Sequence, residues 1–262
     1  MDFDGVYVTA QGGVAVLTLS QPEVMNAASG PMMRGAMAAL DHIEGDAAFR
    51  ALVLTGEGRG FCAGANLMAP EPRPDGKPPG AGDMLEFAYH PFLRRLRDLR
   101  MPLVTAVNGP AVGIGMSFAL MGDLIIAARS AYFLQAFSRL GLVPDGGSTW
   151  LLPRLIGLAR ARELSLLAEK LPAEKALEWG LINYVAADSA LMDEALALAE
   201  RLAKGPAALS MTRRLYWESP HNSFEDQLAL EQATQHKAGQ TNDFMEGIGA
   251  FYQKRPASFT GT

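Results

Sequence analysis

What this sequence lacks narrows it first. One residue in 262 is a cysteine, Cys62, so no disulfide can form within the chain, and neither CxxC nor HExxH occurs to hold a metal. The four histidines, His42, His90, His221 and His236, stand singly along the chain, a distribution that suits surface or packing roles better than ligation. No Lys/Arg run offsets the net charge of -5, so neither nucleic acid nor an anionic membrane is an expected partner. No apolar run approaches the roughly 18–20 residues that a membrane span needs. The opening MDFDGVYV carries two acids and neither an Arg-rich nor a long apolar stretch. No secretory or transit segment is read there, and a soluble, cytoplasmic protein is the expectation.

Several familiar catalytic loops are missing too. The phosphate-cradling GxxxxGK[ST] does not occur, and Gly113-Ile114-Gly115 leads to Phe118 where a dinucleotide fingerprint needs its third glycine. Ser148 is followed by Trp150 where the hydrolase nucleophile elbow needs glycine.

What is present reads as an α/β chain. Apolar residues make up 49 % and charged residues 19 %, an ordinary globular balance. VYVTAQGGVAVLTL (6–19) forms two strand-like runs around Gln11-Gly12-Gly13, a hairpin signal. Met33, Met37, Leu40 and Ile43 recur at helical spacing behind Ser29 as N-cap and Pro31 in the first turn. ALVLTG (51–56) and PLVTAVNG (102–109) are apolar throughout, as strands buried on both faces are. Between them, 83–100 predicts a helix with a kink or break at Pro91. Residues 113–123 and 146–168 predict further helices, and 124–128 and 131–134 further strands. Beyond about 188 only helices are expected, over 190–203, 206–217, 223–238 and 242–253. The division is therefore a core over 1–188 and a helical region over 189–262. APEPRPDGKPPGAG (69–82) cannot hold a regular element and is either a surface insertion or a mobile lid.

Three glycine-bearing turns follow strands: GEGRGFCAGANL (56–67), NGPAVGIGMSF (108–118) and GLVPDGGSTW (141–150). Glycine lets backbone approach a ligand closely. A helix opening at Gly113-Ile114-Gly115 would aim free N–H groups outward, and Gly64-Ala65 can offer one from the facing turn. Two converging donors would make an oxyanion hole for a thioester or ester oxygen.

FCAGANL, AVNGPAVGIGMSFALMGDLIIAA, FSRLGLVPDGGSTWLLPRLIG, AEKALEWGLINYV and GIGAFYQKRPASF, in that order over nearly the whole chain, resemble the crotonase (enoyl-CoA hydratase/isomerase) superfamily. The resemblance implies a spiral of ββα units, a C-terminal helical trimerisation region, assembly as a trimer or a dimer of trimers, and an acyl-CoA thioester substrate whose coenzyme A makes a separate cofactor unnecessary. It places the oxyanion donors on Ala65 and Ile114 and counts Gly115 and Phe137 among the residues that bind the substrate. It lays the CoA and pantetheine path along Met25, Ala27, Ala63, Asn66 and Leu67, and gives Phe251 and Lys254 contact with a neighbouring subunit's CoA. Lys254 reads equally as a plain solvated lysine.

The same resemblance raises a question of chemistry. Hydratases of the family carry two glutamates, and the matching positions here hold Ser117 and Phe137. Activating a water and delivering a proton is work usually shared by that acid pair. Asp145 remains, at a place where the resemblance is nearest to Δ3,Δ2-enoyl-CoA isomerases and to the 1,2-epoxyphenylacetyl-CoA isomerases of bacterial phenylacetate breakdown. The implied reaction is a double-bond or ring-epoxide isomerisation with Asp145 as acid/base and Phe137 in an apolar pocket. Other outcomes stay open: a hydratase, a hydrolase or dehalogenase with Asp145 as nucleophile, or an inactive acyl-CoA-binding protein. Asp145 also reads as the N-cap of the helix behind it, a role compatible with catalysis. An apolar pocket with Phe137 and Trp150 would raise its pKa and a helix N-terminus would lower it.

Overall fold

The computed structural model describes residues 1–67, 80 and 82–262. The Pro/Gly-rich stretch expected as an insertion or lid lies, but for Gly80 and Gly82, outside the described residues.

The chain opens with β1 (Asp2–Phe3), β2 (Val6–Gln11) and β3 (Val14–Leu19), paired antiparallel in that order. The expected hairpin turns at Gly12-Gly13. Helix α1 (Gly30–Gly45) follows, with the Ser29 side chain accepting the Met32 N–H at 3.3 Å, so the predicted cap holds. Then come β4 (Ala51–Gly56), α2 (His90–Arg97), β5 (Leu103–Val107), β6 (Ala111–Val112), α3 (Ile114–Ala119), β7 (Leu124–Ala128) and β8 (Tyr132–Leu134). A long α4 (Ser148–Leu167), β9 (Leu171–Pro172), α5 (Ala173–Trp179) and β10 (Tyr184–Ala186) complete the α/β part. The last elements are α6 (Leu191–Ala203), α7 (Ala208–Glu218), α8 (Phe224–Ala238) and α9 (Asn242–Gln253).

Seven strands form the main sheet in the order β1-β2-β3-β4-β5-β7-β10, parallel from β3 onward, and β6-β8-β9 form a second, three-stranded sheet. The residues of β3 are all buried, as are those of β5, which explains their lack of alternation. Helix α1 packs on β2 and β3, while α6 lays Leu191, Ala195, Ala199 and Ala203 against β4 and β5.

Two predicted helices differ in detail. The turn before α2, Leu85–Tyr89, is a π-helix. Pro91 has no N–H to donate into that turn, and the wider winding takes up the defect instead of a break. The helix expected over 146–168 begins at Ser148 and is interrupted at Gly157, whose φ of 78° and ψ of 158° leave the helical region. Helix α8 has no buried residue, and Phe224, Phe251 and Tyr252 are each more than 70 % exposed.

One buried ion pair joins the C-terminal helices to the sheet. Arg213, 6 % exposed, meets Asp123 at 2.7 Å and also donates to the carbonyls of Leu96, Arg97 and Leu99 at the end of α2. A single guanidinium thus satisfies carbonyls that the helix itself leaves without partners.

Candidate active site

Strands β4 and β5 are parallel neighbours, with Leu54 opposite Thr105, so the turns after them leave the sheet at the same end. Crevices beyond the carboxyl ends of parallel strands are where such sheets bind ligands. Two asparagines that the sequence reading passed over pin the first turn. Asn26, fully buried, donates to the carbonyls of Glu57 and Gly60, and Asn108 donates to those of Gly58 and Gly60.

The turns then lock to each other. Cys62 bridges Ala111, and its carbonyl accepts the Val112 N–H at 3.0 Å. A side chain at Gly115 would meet the Cys62 carbonyl oxygen at 2.3 Å, so glycine is required for this approach. That contact corrects the expectation for Gly115: it is buried packing between the turns and not part of the cavity wall. Burial pushes the Cys62 thiol up to about 12, and its role is packing.

Ala65 forms a parallel bridge with Ala28, in which the bonds run from the Ala28 N–H to the Gly64 carbonyl and from the Asn66 N–H to the Ala28 carbonyl. In a parallel bridge of this kind the N–H of Ala65 itself points away from its neighbour. Ile114 is the first residue of α3, where N–H groups have no partner inside the helix. Neither N–H has a hydrogen-bond partner among the described residues. Both residues line one cavity of about 260 Å³, together with Asp145.

The rest of the wall is mainly apolar, with Met84, Val112, Phe137, Leu140, Leu142, Ala63 and Leu67 beside Asn66. Tyr89 lines it as well, its hydroxyl donating to the Ala28 carbonyl at 3.0 Å. Among the described lining residues Asp145 is the one carboxylate. Its Oδ1 is buried without a hydrogen-bond partner among the described residues, and desolvation pushes the carboxyl up to about 6.

Two expectations are thereby corrected, the cap role of Asp145 and the place of Trp150 in the pocket. Asp145 does not cap α4: Gly147 takes that position at a φ of 80°, and the helix has no side-chain cap. Trp150 leaves the cavity, stacking on Trp217 and His221 with Arg154 over its ring, because α4 turns that face toward α7. Met25 and Ala27, expected along the CoA path, are not among the residues lining this cavity, though the Met25 carbonyl accepts the N–H of Ala63, which is. Phe251 and Lys254, at the end of α9, are exposed and outside the cavity of their own chain. Sequence reasoning missed Met84 and Tyr89, whose helical segment carried no signal beyond amphipathicity.

The family model described as enoyl-CoA hydratase/isomerase matches residues 9–262. The chain is 46 % identical over 250 residues to 1,2-epoxyphenylacetyl-CoA isomerase of Escherichia coli K12, covering 95 % of each chain. It is 42 % identical over 264 residues, the full length of both, to a protein of Rhodobacter capsulatus named "probable enoyl-CoA hydratase". The crystal structure of an enoyl-CoA hydratase from Polaromonas sp. JS666 superposes with a TM-score of 0.89 at 33 % identity, over 97 % of this chain and 99 % of that one.

Proposed function

The chain belongs to the enoyl-CoA hydratase/isomerase family, and from that membership we propose that it is an acyl-CoA isomerase working through an enolate, with Asp145 as the only acid/base. Names among its relatives divide between isomerase and hydratase, so the residues of the site must discriminate. The observation that carries the reading is the carboxylate inventory. Ser117 and Phe137 stand where the hydratase resemblance calls for glutamates, and Asp145 is the sole carboxylate among the described lining residues.

One carboxylate suffices for a double-bond shift. Asp145 removes a proton from C2 of a 3-enoyl thioester, and the electron pair passes through the carbonyl to leave an enolate oxygen. The N–H groups of Ala65 and Ile114 stabilise that oxygen, each such donor contributing about 3–4 kcal/mol in comparable sites. The protonated Asp145 then returns the proton to C4, and the double bond comes to lie between C2 and C3. A carboxyl raised to about 6 is a stronger base than an ordinary one while still ionised at neutral pH. An aromatic ring-epoxide thioester enters the same scheme: removal of the proton next to the thioester forms the same enolate, whose electron pair then breaks the epoxide C–O bond and leaves the charge on the epoxide oxygen. Coenzyme A arrives as part of the substrate.

The proposal extends to assembly. Helix α8 lacks any buried residue and Phe251 is 78 % exposed, which supports a trimer in which Phe251 and Lys254 meet the CoA of a neighbouring subunit. Light scattering of the purified protein tests this.

The decisive assay offers wild type and Asp145→Asn a 3-enoyl-CoA, a 2-enoyl-CoA and an aromatic ring-epoxide CoA. Expected is isomerisation of the first or third by wild type and its loss, by about a thousandfold or more, in the variant. Equal rates for the two proteins, or consumption of 2-enoyl-CoA alone to give a 3-hydroxyacyl-CoA, would sink the proposal.

A further inference from the structure

Behind Asp145 lies a fully buried polar cluster that the proposed chemistry does not use. Ser117, Gln135 and Ser148 each have 0 % exposure, although their surroundings are apolar. The Gln135 amide Nε2 lies 3.3 Å from Ser148 Oγ, Ser148 Oγ lies 2.9 Å from Ser117 Oγ, and Ser117 Oγ lies 3.3 Å from the backbone carbonyl of Asp145. Proton counting fixes the direction. The Asp145 carbonyl can only accept, so the one Ser117 proton goes there; Ser117 must then accept from Ser148, and Ser148 from the Gln135 amide. The result is a one-way chain from Gln135 to Ser148 to Ser117 to Asp145, in which each bond polarises the next.

The same carbonyl receives the Ser148 N–H at 3.0 Å. Next along, Gly146 at a φ of +58° is seated so closely that a side chain there would meet Ile114 Cδ1 at 2.3 Å and Ser117 Oγ at 2.8 Å. Ser117 lies three residues after Ile114 on α3, so a single hydroxyl ties the turn carrying the acid to the helix carrying an oxyanion donor.

We propose that Ser117 and Ser148 are positioning residues, which hold the Asp145 backbone so that its carboxylate and the Ile114 N–H keep the spacing the proton transfer needs. The inference rests on the reading of Asp145 as acid/base. Removing the Ser117 hydroxyl leaves the carbonyl with one donor and lets the turn pivot toward water. Small misplacements of this kind cost about 10- to 100-fold in turnover.

The test is Ser117→Ala and, in case that protein folds poorly, Ser148→Ala, each beside wild type and Asp145→Asn. Two experiments are run: steady-state kinetics giving kcat and KM with a 3-enoyl-CoA, and the Asp145 carboxyl titration by 13C NMR of aspartate-labelled protein, assigned from the peak lost in Asp145→Asn. Expected is a kcat lowered at least tenfold with KM within twofold, and a titration midpoint that falls from near 6 toward the ordinary carboxylate range as water reaches the group. Alanine variants that keep the wild-type kcat and midpoint overturn the proposal. So does a lowered kcat with an unmoved midpoint, since the serines would then act other than through Asp145. If Asp145→Asn turns over like wild type, the acid/base reading fails, and the midpoint alone decides whether the serines position the carboxyl.

Discussion

Replacing Asp145 by asparagine should stabilise the folded protein while abolishing turnover. In the native chain the carboxyl sits in an apolar cavity with Oδ1 unpartnered among the described residues, and its pKa rises from 3.8 to about 6. At about 1.4 kcal/mol for each tenfold change in proton affinity, keeping it ionised costs the fold about 3 kcal/mol. Solvent reaches part of the side chain, which reduces the figure to about 1–2 kcal/mol. Asparagine has the shape of the protonated acid and carries no charge, so it removes this cost and little else. The sign follows from proton binding. The folded state holds the Asp145 proton more tightly than the unfolded chain does, so its contribution to stability is full below pH 3.8 and is lost as pH rises through 6. At pH 8 the variant should melt about 2–8 °C above wild type, given about 2–4 °C per kcal/mol for a chain of this size. At pH 4.5 only about a third of that gap should survive. Calorimetry of both proteins at the two pH values, at one protein concentration, reads it directly. A variant no more stable than wild type at pH 8, or a gap that ignores pH, would refute the desolvation argument.

Other outcomes follow from the same geometry. Ile114→Pro should remove one oxyanion donor at a helix position where the proline backbone is tolerated, so turnover falls by about a hundredfold to a thousandfold, while loss of the buried side chain costs only about 1–2 kcal/mol of stability. Steady-state kinetics and a melt check the pair. Phe137→Ala, at a site 7 % exposed in the cavity wall, should cost about 3 kcal/mol in denaturant titrations and shift selectivity toward bulkier acyl groups in competition assays. Arg213→Met should cost about 3–5 kcal/mol, because it strands Asp123 and the carbonyls closing α2; urea unfolding with an unchanged m-value is the measurement.

Much of the molecule was legible because its signals are local. The continuous apolar runs of β4 and β5, the Ser29 cap with Pro31 behind it, and the boundaries of α6 to α9 follow from propensity and periodicity over a few residues. Strands of two residues, such as β6 and β9, carry no such pattern and exist because a partner strand pairs with them. Gly157 falls inside the helix expected over 146–168, yet it takes a φ of 78° that interrupts α4.

The site divides the same way. Resemblance to the family, carried by motifs written in the chain, singled out Asp145 beside non-acidic Ser117 and Phe137 and pointed to Ala65 and Ile114 as donors. Only the tertiary structure decided that Gly147 and not Asp145 caps α4, that Trp150 turns away from the cavity, and that burial outweighs the nearby helix in raising the carboxyl to about 6. It alone joined Gln135, Ser117 and Ser148 into one chain. Those facts depend on which side chains face each other across distant turns, and on how much water is left between them, and neither is encoded in any short window of sequence.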